Sequence, residues 1–320
     1  MNYIIIEGLA FALPLFIIAI GGIFSERSGV TNLALEGFQG FGAFTGAAVV
    51  MAITGGNMAG IEVPMFFVAL AFAILGGALF SVIHAVLCVP FKANQVISGV
   101  VINILSTALT LFLTSQINTV LLGKPTDKFV LGICHKFTVP VISEIPVLGA
   151  LFTDVYYYQP VIIVAALFSS YLLYKSRFGL RLRACGDNPH AVDAAGGNVS
   201  KTRFIAVMIS GALSGLGGMC FAYSISASFS PSIYAGYGFL SIAALIFGNW
   251  KIGPTLGACL LFGFARSGGY RLAQSLGLSS AFSDIIMILP YVLTLLLLMF
   301  FSSSNRAPRA LGEIYDKGKR

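Results

Sequence analysis

Gln95, Gly99, Asn103, Ser106 and Thr110 recur at i, i+4, i+8, i+11 and i+15 inside a stretch, 93–123, that holds no charged residue. At 3.6 residues per turn they share one narrow face of a helix. Amides and hydroxyls in a long apolar helix are costly unless they face a neighbour or a polar cavity. The stripe therefore either lines a route for a polar solute or bonds to adjacent helices. Glu36 poses the same choice. It follows Thr31-Asn32; with Asn32 as N-cap, Glu36 falls in a first helical turn, where the helix dipole favours a carboxylate. The alternative is a polar contact with a partner helix or a substrate. Glu7 and Asp284 are the other acids in or beside apolar stretches, and with His84 they make a poor proton relay.

Catalytic chemistry finds no foothold. A phosphate-binding loop is absent, because Gly123-Lys124 runs into Pro125 without the upstream glycine. Leu213-Ser214-Gly215-Leu216-Gly217-Gly218 looks like a nucleotide signature but sits in an apolar stretch, where it reads as packing. The five cysteines, at 88, 134, 185, 220 and 259, have neither metal-ligand nor disulfide spacing. We expect no catalytic residue, no metal and no cofactor bound by this chain.

The most informative polar segment is Gly186-Asp187-Asn188-Pro189-His190-Ala191-Val192-Asp193-Ala194-Ala195-Gly196-Gly197-Asn198-Val199. Asn188 is a good N-cap, Pro189 suits the first helical position, and Gly196 or Gly197 can take the left-handed stop. The local chemistry predicts a two-turn helix capped at both ends, exposing Ala191, Val192 and Ala195. So short a helix is marginal alone in water; it must dock on a partner or on its own loop.

The elements that position these residues follow from composition. Of the 320 residues 57% are hydrophobic and 10% are charged, far below the roughly 25% charge of soluble domains. Charge-free windows cover 8–25, 37–61, 63–91, 93–123, 155–174, 204–250 and 285–305. A spanning helix needs about 20 apolar residues. The windows, with 204–250 counted twice and the short 252–265 added, give an all-α bundle of about nine spans, eight to ten. Lys and Arg mark the cytoplasmic side. Placing the cluster Lys175, Arg177, Arg181, Arg183, Lys201 and Arg203 inside, with the tail, puts 14 of the 19 basic residues there, the N-terminus outside and the C-terminus inside. The +7 charge thus reports topology and not nucleic acid. Residues 1–304 are expected to form the membrane domain, with an outer loop at 116–158 and an inner loop at 175–203, and 305–320 a basic cytoplasmic tail. Tyr156, Tyr157 and Tyr158 stand where an interfacial belt would. Gly211/Gly215 and Gly253/Gly257 have the G-x-x-x-G spacing that lets helices approach closely.

The 186–199 segment resembles the glycine-acid-Asn-Pro-x-Ala-x-x-Ala-Gly-x-x-Val loop of permease subunits in bacterial binding-protein-dependent ABC importers, the branch for branched-chain amino acids, simple sugars and nucleosides. Glu26-Arg27-Ser28-Gly29-Val30-Thr31-Asn32-Leu33-Ala34-Leu35-Glu36-Gly37, Asn94-Gln95-Val96-Ile97-Ser98-Gly99 with Asn103, and Gly236-Tyr237-Gly238-Phe239 through Phe247-Gly248-Asn249-Trp250 resemble further stretches of its nucleoside subgroup. Gln95 replaces an acid there, and Gly197 an isoleucine. The resemblance implies a permease in the bacterial inner membrane that carries a nucleoside or simple sugar. Its implied partners are a second permease (a related chain or a copy of this one), an ATP-binding subunit holding ATP and Mg, and an extracytoplasmic substrate-binding lipoprotein, with lipid around it. It further implies that Asp187, Asn188, Pro189, His190, Ala191, Val192, Ala195 and Gly196 couple to the ATPase. Gln95, Gly99, Asn103, Ser106 and Asn249 would flank the route, and Asn32 and Glu36 would be structural or line it. A stand-alone carrier or channel would not need the capped helix.

Overall fold

The computed structural model describes residues 2–57, 60–132, 134–140, 143, 148–277, 288, 290–293, 296 and 306–318. The α-helices delimited among the described residues follow in this order: α1 (Asn2–Arg27), α2 (Leu35–Thr54), α3 (Glu62–Cys88), α4 (Gln95–Leu122), α5 (Tyr158–Tyr174), α6 (Arg177–Asp187), α7 (Pro189–Ala194), α8 (Val199–Ile225), α9 (Tyr237–Phe247) and α10 (Ile252–Ser275). Four two-residue strands lie between them. β1 (Phe129–Val130) pairs antiparallel with β4 (Ser228–Phe229), and β2 (Lys136–Phe137) with β3 (Val155–Tyr156).

By length and composition, α1, α2, α3, α4 and α8 can each cross a membrane, and α5 with α6, bent by 67°, makes a sixth candidate. Among the described residues this is fewer than the roughly nine spans expected from charge-free windows, and some of the difference has a physical reason. The window 204–250 yields one full helix and then α9, whose 11 residues rise only about 16 Å, half of a bilayer core. The 24-residue α10 is diluted by glycines, Arg266 and Arg271. The expected last span, 285–305, and Asp284 lie outside the described residues apart from 288, 290–293 and 296.

Close backbone approach holds the bundle together. α8 packs on α1, α2 and α3. A methyl group at Gly211 or Gly77 would collide with the other's carbonyl, and one at Gly215 with the Ala73 carbonyl. On α2, Gly42 meets Gly215 and Ala73, and Gly218 of α8 abuts the Gln39 carbonyl. Lipid gives no hydrophobic drive for helix association, so such contacts carry it through dispersion. The Gly211/Gly215 spacing is used as expected. Among the described residues nothing lies within 4 Å of a Cβ added at Gly253 or Gly257, so that pair packs against none of them. Gly211→Leu is expected to cost upwards of about 3 kcal/mol through overpacking and to abolish the folded peak in size-exclusion chromatography. Gly257→Ala should elute unchanged.

α1 is the central helix, buried along Ala10–Phe24. Tyr158 is fully buried against it and donates its hydroxyl to the Ala10 carbonyl at 3.1 Å. Tyr156 stacks on Tyr158 at 5.2 Å. The expected interfacial belt is therefore a core contact: each phenol body finds packing inside the protein, and Tyr158 finds an acceptor there.

Candidate functional site

α7 forms as its residues dictate. The Asn188 side chain accepts the Ala191 N–H at 3.0 Å, Pro189 occupies the first turn, and Gly196 takes φ +79°. The Gly197 N–H closes on the Val192 carbonyl at 2.8 Å. Asp187 ends α6. His190, Ala191, Ala194 and Ala195 are exposed, whereas Val192 is 9% exposed, packed with Cys185 and Val199. The expectation that Val192 faces outward is corrected: it anchors α7 to the protein, because a two-turn helix must bury one side to hold its shape. Its open side borders a mostly apolar groove of about 490 Å³ between α6 and α7.

The segment 306–318 is a strap across this end of the molecule. The Arg306 N–H donates to Asn249 Oδ1 at 2.8 Å, the Ala310 N–H to the Gly186 carbonyl at 2.8 Å and the Gly312 N–H to the Gly29 carbonyl at 3.1 Å. Arg203, 3% exposed at the start of α8, donates Nη1 to the Glu313 carbonyl at 2.7 Å and Nε to the Ser28 carbonyl at 3.1 Å. Tyr315 packs on the Cys185–Val192–Val199 cluster, its ring 5.5 Å from that of His190. Ion pairs Lys92–Asp316 (3.0 Å) and Lys317–Asp193 (3.9 Å) are largely exposed and add little. The strap thus ties α7 to α8, to the 28–34 connection and to the α9–α10 turn. Sequence reasoning took these residues for a tail, since most of the bonds that hold them run to or from backbone carbonyls, which leave no mark in a sequence.

The stretches that carried the family resemblance meet in space. Glu26, 4% exposed, accepts the Trp250 indole N–H, and Arg27 Nε donates to the Trp250 carbonyl at 3.0 Å. Asn249 and Trp250 both have φ of 53°, a left-handed turn that these bonds and the strap hold in place. Glu36 lies in the first turn of α2 and accepts the Gly236 N–H, which opens α9, at 3.0 Å. Its carboxylate therefore sits at the amino end of another helix. The cap of α2 is Ala34, not Asn32. Asn32 instead accepts the Ala34 N–H at 3.0 Å and donates to Ser210 Oγ at 2.9 Å, fixing the 28–34 connection to α8.

The α4 stripe faces that connection. Gln95 Oε1 accepts the Thr31 N–H at 2.7 Å; Asn103 accepts the Gly37 N–H and donates to the Leu33 carbonyl, each at 2.8 Å; Ser106 donates to the Gly37 carbonyl at 2.8 Å. A Cβ on Gly99 would lie 2.9 Å from Leu33 Cβ. Two of these bonds satisfy Thr31 and Leu33 backbone groups that the non-helical 28–34 stretch leaves free, and two hold Gly37 in the first turn of α2, whose N–H has no partner within its own helix. Asn103 and Glu36 remain half-exposed, and Thr107 and Phe239 on the same side are exposed.

Comparison with known proteins fits this arrangement. The chain is 42% identical to the guanosine ABC transporter permease protein NupQ of Bacillus subtilis and 39% to the nucleoside ABC transporter permease protein NupC of Lactococcus lactis. Each match covers 100% of this chain and 98% of the relative. A second Bacillus subtilis protein, the guanosine ABC transporter permease protein NupP, is 28% identical over 95% of this chain and 82% of its own. No solved structure matches. The family described as branched-chain amino acid transport system / permease component matches residues 4–298, and this chain belongs to it.

Proposed function

We propose that this protein is one transmembrane subunit of an ATP-driven importer for nucleosides in a bacterial inner membrane. The full-length likeness to guanosine and nucleoside permeases is the observation that carries the reading. In this reading the α7 end faces the cytoplasm, the N-terminus lies outside, and the chain crosses about nine times. Arg27, Lys92, the 175–203 loop, Lys251 and the strap gather at one end, as the distribution of basic residues requires. β1–β4 pairing joins the 116–158 and 224–237 loops at the other, where the binding lipoprotein would dock.

The ATPase subunit supplies ATP, Mg and force, and α7 receives the force. The second permease is a related chain; Bacillus subtilis, with NupQ and NupP both similar to this protein, supports a pair of unlike permeases. Substrate passes between the two along the face bearing Glu36, Asn103, Thr107 and Phe239. Polar and aromatic groups left half-open at spanning helices fit a shared route better than contact with lipid. Gln95, Gly99 and Ser106 frame that face, and Asn249 lies toward its α7 end.

The test is to purify the chain with the products of its neighbouring genes and measure uptake of labelled guanosine into proteoliposomes. Uptake that requires ATP and the co-purified ATPase supports the reading. Uptake that persists without either, or transport of a sugar in place of every nucleoside, refutes it.

A further inference from the structure

A cavity of about 470 Å³, within the range of small-molecule sites, opens at the end of the bundle opposite α7. It lies within the one protomer, between the start of α1, the end of α8 and the later turns of α10. Arg266 and Glu7 both line it, yet among the described residues no ion pair within 4 Å joins them. An ionisable side chain in a membrane protein's apolar helix calls for a partner, and these two face the same space without a salt bridge between them, Glu7 also lying within electrostatic reach of Lys136. The Arg266 guanidinium lies 4.5 Å over the Phe11 ring and 5.4 Å over the Tyr270 ring, which fixes its plane. Among the described residues its buried Nε has no acceptor, and Ser267 Oγ, in a residue 5% exposed on the cavity wall, has no hydrogen-bond partner. Tyr3, 54% exposed, adds an aromatic rim.

We propose that this cavity is a delivery subsite for the base of a 6-oxopurine nucleoside, an inference that rests on the nucleoside reading above. Such a base offers acceptors O6 and N7 on one edge, the pair an arginine reads bidentately. Its adjacent edge offers N–H donors, which a carboxylate accepts. Arg266 takes the first edge and Glu7 the second, while Tyr270 and Tyr3 supply apolar ring surface. Adenine places a donor where Arg266 needs an acceptor and lacks the N1 hydrogen that Glu7 needs, so it leaves buried polar groups unpaired.

The experiment is equilibrium binding of labelled guanosine to the solubilised complex of both permeases with the ATPase, without the binding lipoprotein. Guanosine is expected to bind at least about tenfold tighter than adenosine, and Glu7→Gln and Arg266→Lys each to weaken it about tenfold, through loss of one charged hydrogen bond. Two ligand variants ask the same of the unaltered protein: 7-deazaguanosine, lacking the N7 acceptor, and 1-methylguanosine, lacking the N1 hydrogen, should each bind about tenfold more weakly. Equal binding of adenosine, unchanged affinity across both protein and both ligand variants, or displacement by ribose or by inorganic phosphate drawn to the arginines overturns the proposal. Unaltered guanosine uptake in the two protein variants would remove this site and leave the nucleoside reading standing. Absence of any nucleoside uptake by the wild-type system would remove that reading instead.

Discussion

Replacing Ala191 and Ala195 together with aspartate is expected to lower ATP-driven uptake at least about a hundredfold while leaving the fold intact. Both side chains are exposed on the open side of α7; Ala195 closes the helix as its C-cap through its backbone N–H, which aspartate keeps, and neither side chain anchors it. Two carboxylates buried without partners in a docked interface cost several kcal/mol, which is two orders of magnitude or more in coupling. Exposed substitutions in the free protein move stability by about 0.5 kcal/mol, so its melting temperature should shift by no more than about 2 °C. Val192→Asp gives a different result. Val192 is buried with Cys185, Val199 and Tyr315, so a carboxylate there should detach α7 and lower the melting temperature as well. Uptake and ATPase assays beside thermal unfolding separate the two. Full coupling in the Ala191/Ala195 variant would rule out a docking role for this helix.

The second large effect is expected from ending the chain after Ala307. The truncation removes the Glu313 carbonyl from Arg203, two N–H donors from the carbonyls of Gly186 and Gly29, and Tyr315 from its cluster. Each buried bond left unmade costs about 1–3 kcal/mol. Water will re-satisfy the uncovered carbonyls, so the net loss should be nearer 2–4 kcal/mol. The strap joins α7 to the 28–34 connection and to the α9–α10 turn, so the functional loss should exceed the thermal one. Uptake is expected to fall about tenfold with ATP hydrolysis largely retained, because α7 then moves without carrying the spanning helices with it. Lys92→Ala and Lys317→Ala, which remove only exposed ion pairs, should change uptake less than twofold. A truncated protein that transports normally would reduce the strap to a packing element.

The parts of this site legible in the sequence are those fixed by local chemistry. Asn188, Pro189 and Gly196 specify α7 within nine residues, and the helix appears where they put it. The one-face periodicity of Gln95, Gly99, Asn103 and Ser106 was equally readable, but what that face meets was not. Its partners are mostly backbone groups of the 31–37 segment, and a backbone carbonyl is the same at every residue. The strap was hidden for the same reason. Val192 was misread because Val199 and Tyr315, two of its packing partners, lie 7 and 123 residues away in the chain. Within 204–250 the second expected span is a short helix among the described residues, because hydropathy registers that the stretch is apolar but not that α9 stops after 11 residues. The glycine pairs divide on the same line: spacing marks Gly211/Gly215 and Gly253/Gly257 alike, and among the described residues only the first finds another backbone to approach.

The central claim is that α7 faces the cytoplasm and receives force from an ATPase. All five native cysteines are buried, so an Ala195→Cys variant carries a single exposed thiol. The direct measurement is labelling of that thiol by a membrane-impermeant maleimide in oriented vesicles of the assembled importer. The account predicts labelling from the cytoplasmic face alone and protection when the ATPase subunit is added back to stripped membranes. Labelling from the outer face, or a rate that the ATPase leaves unchanged, would contradict it.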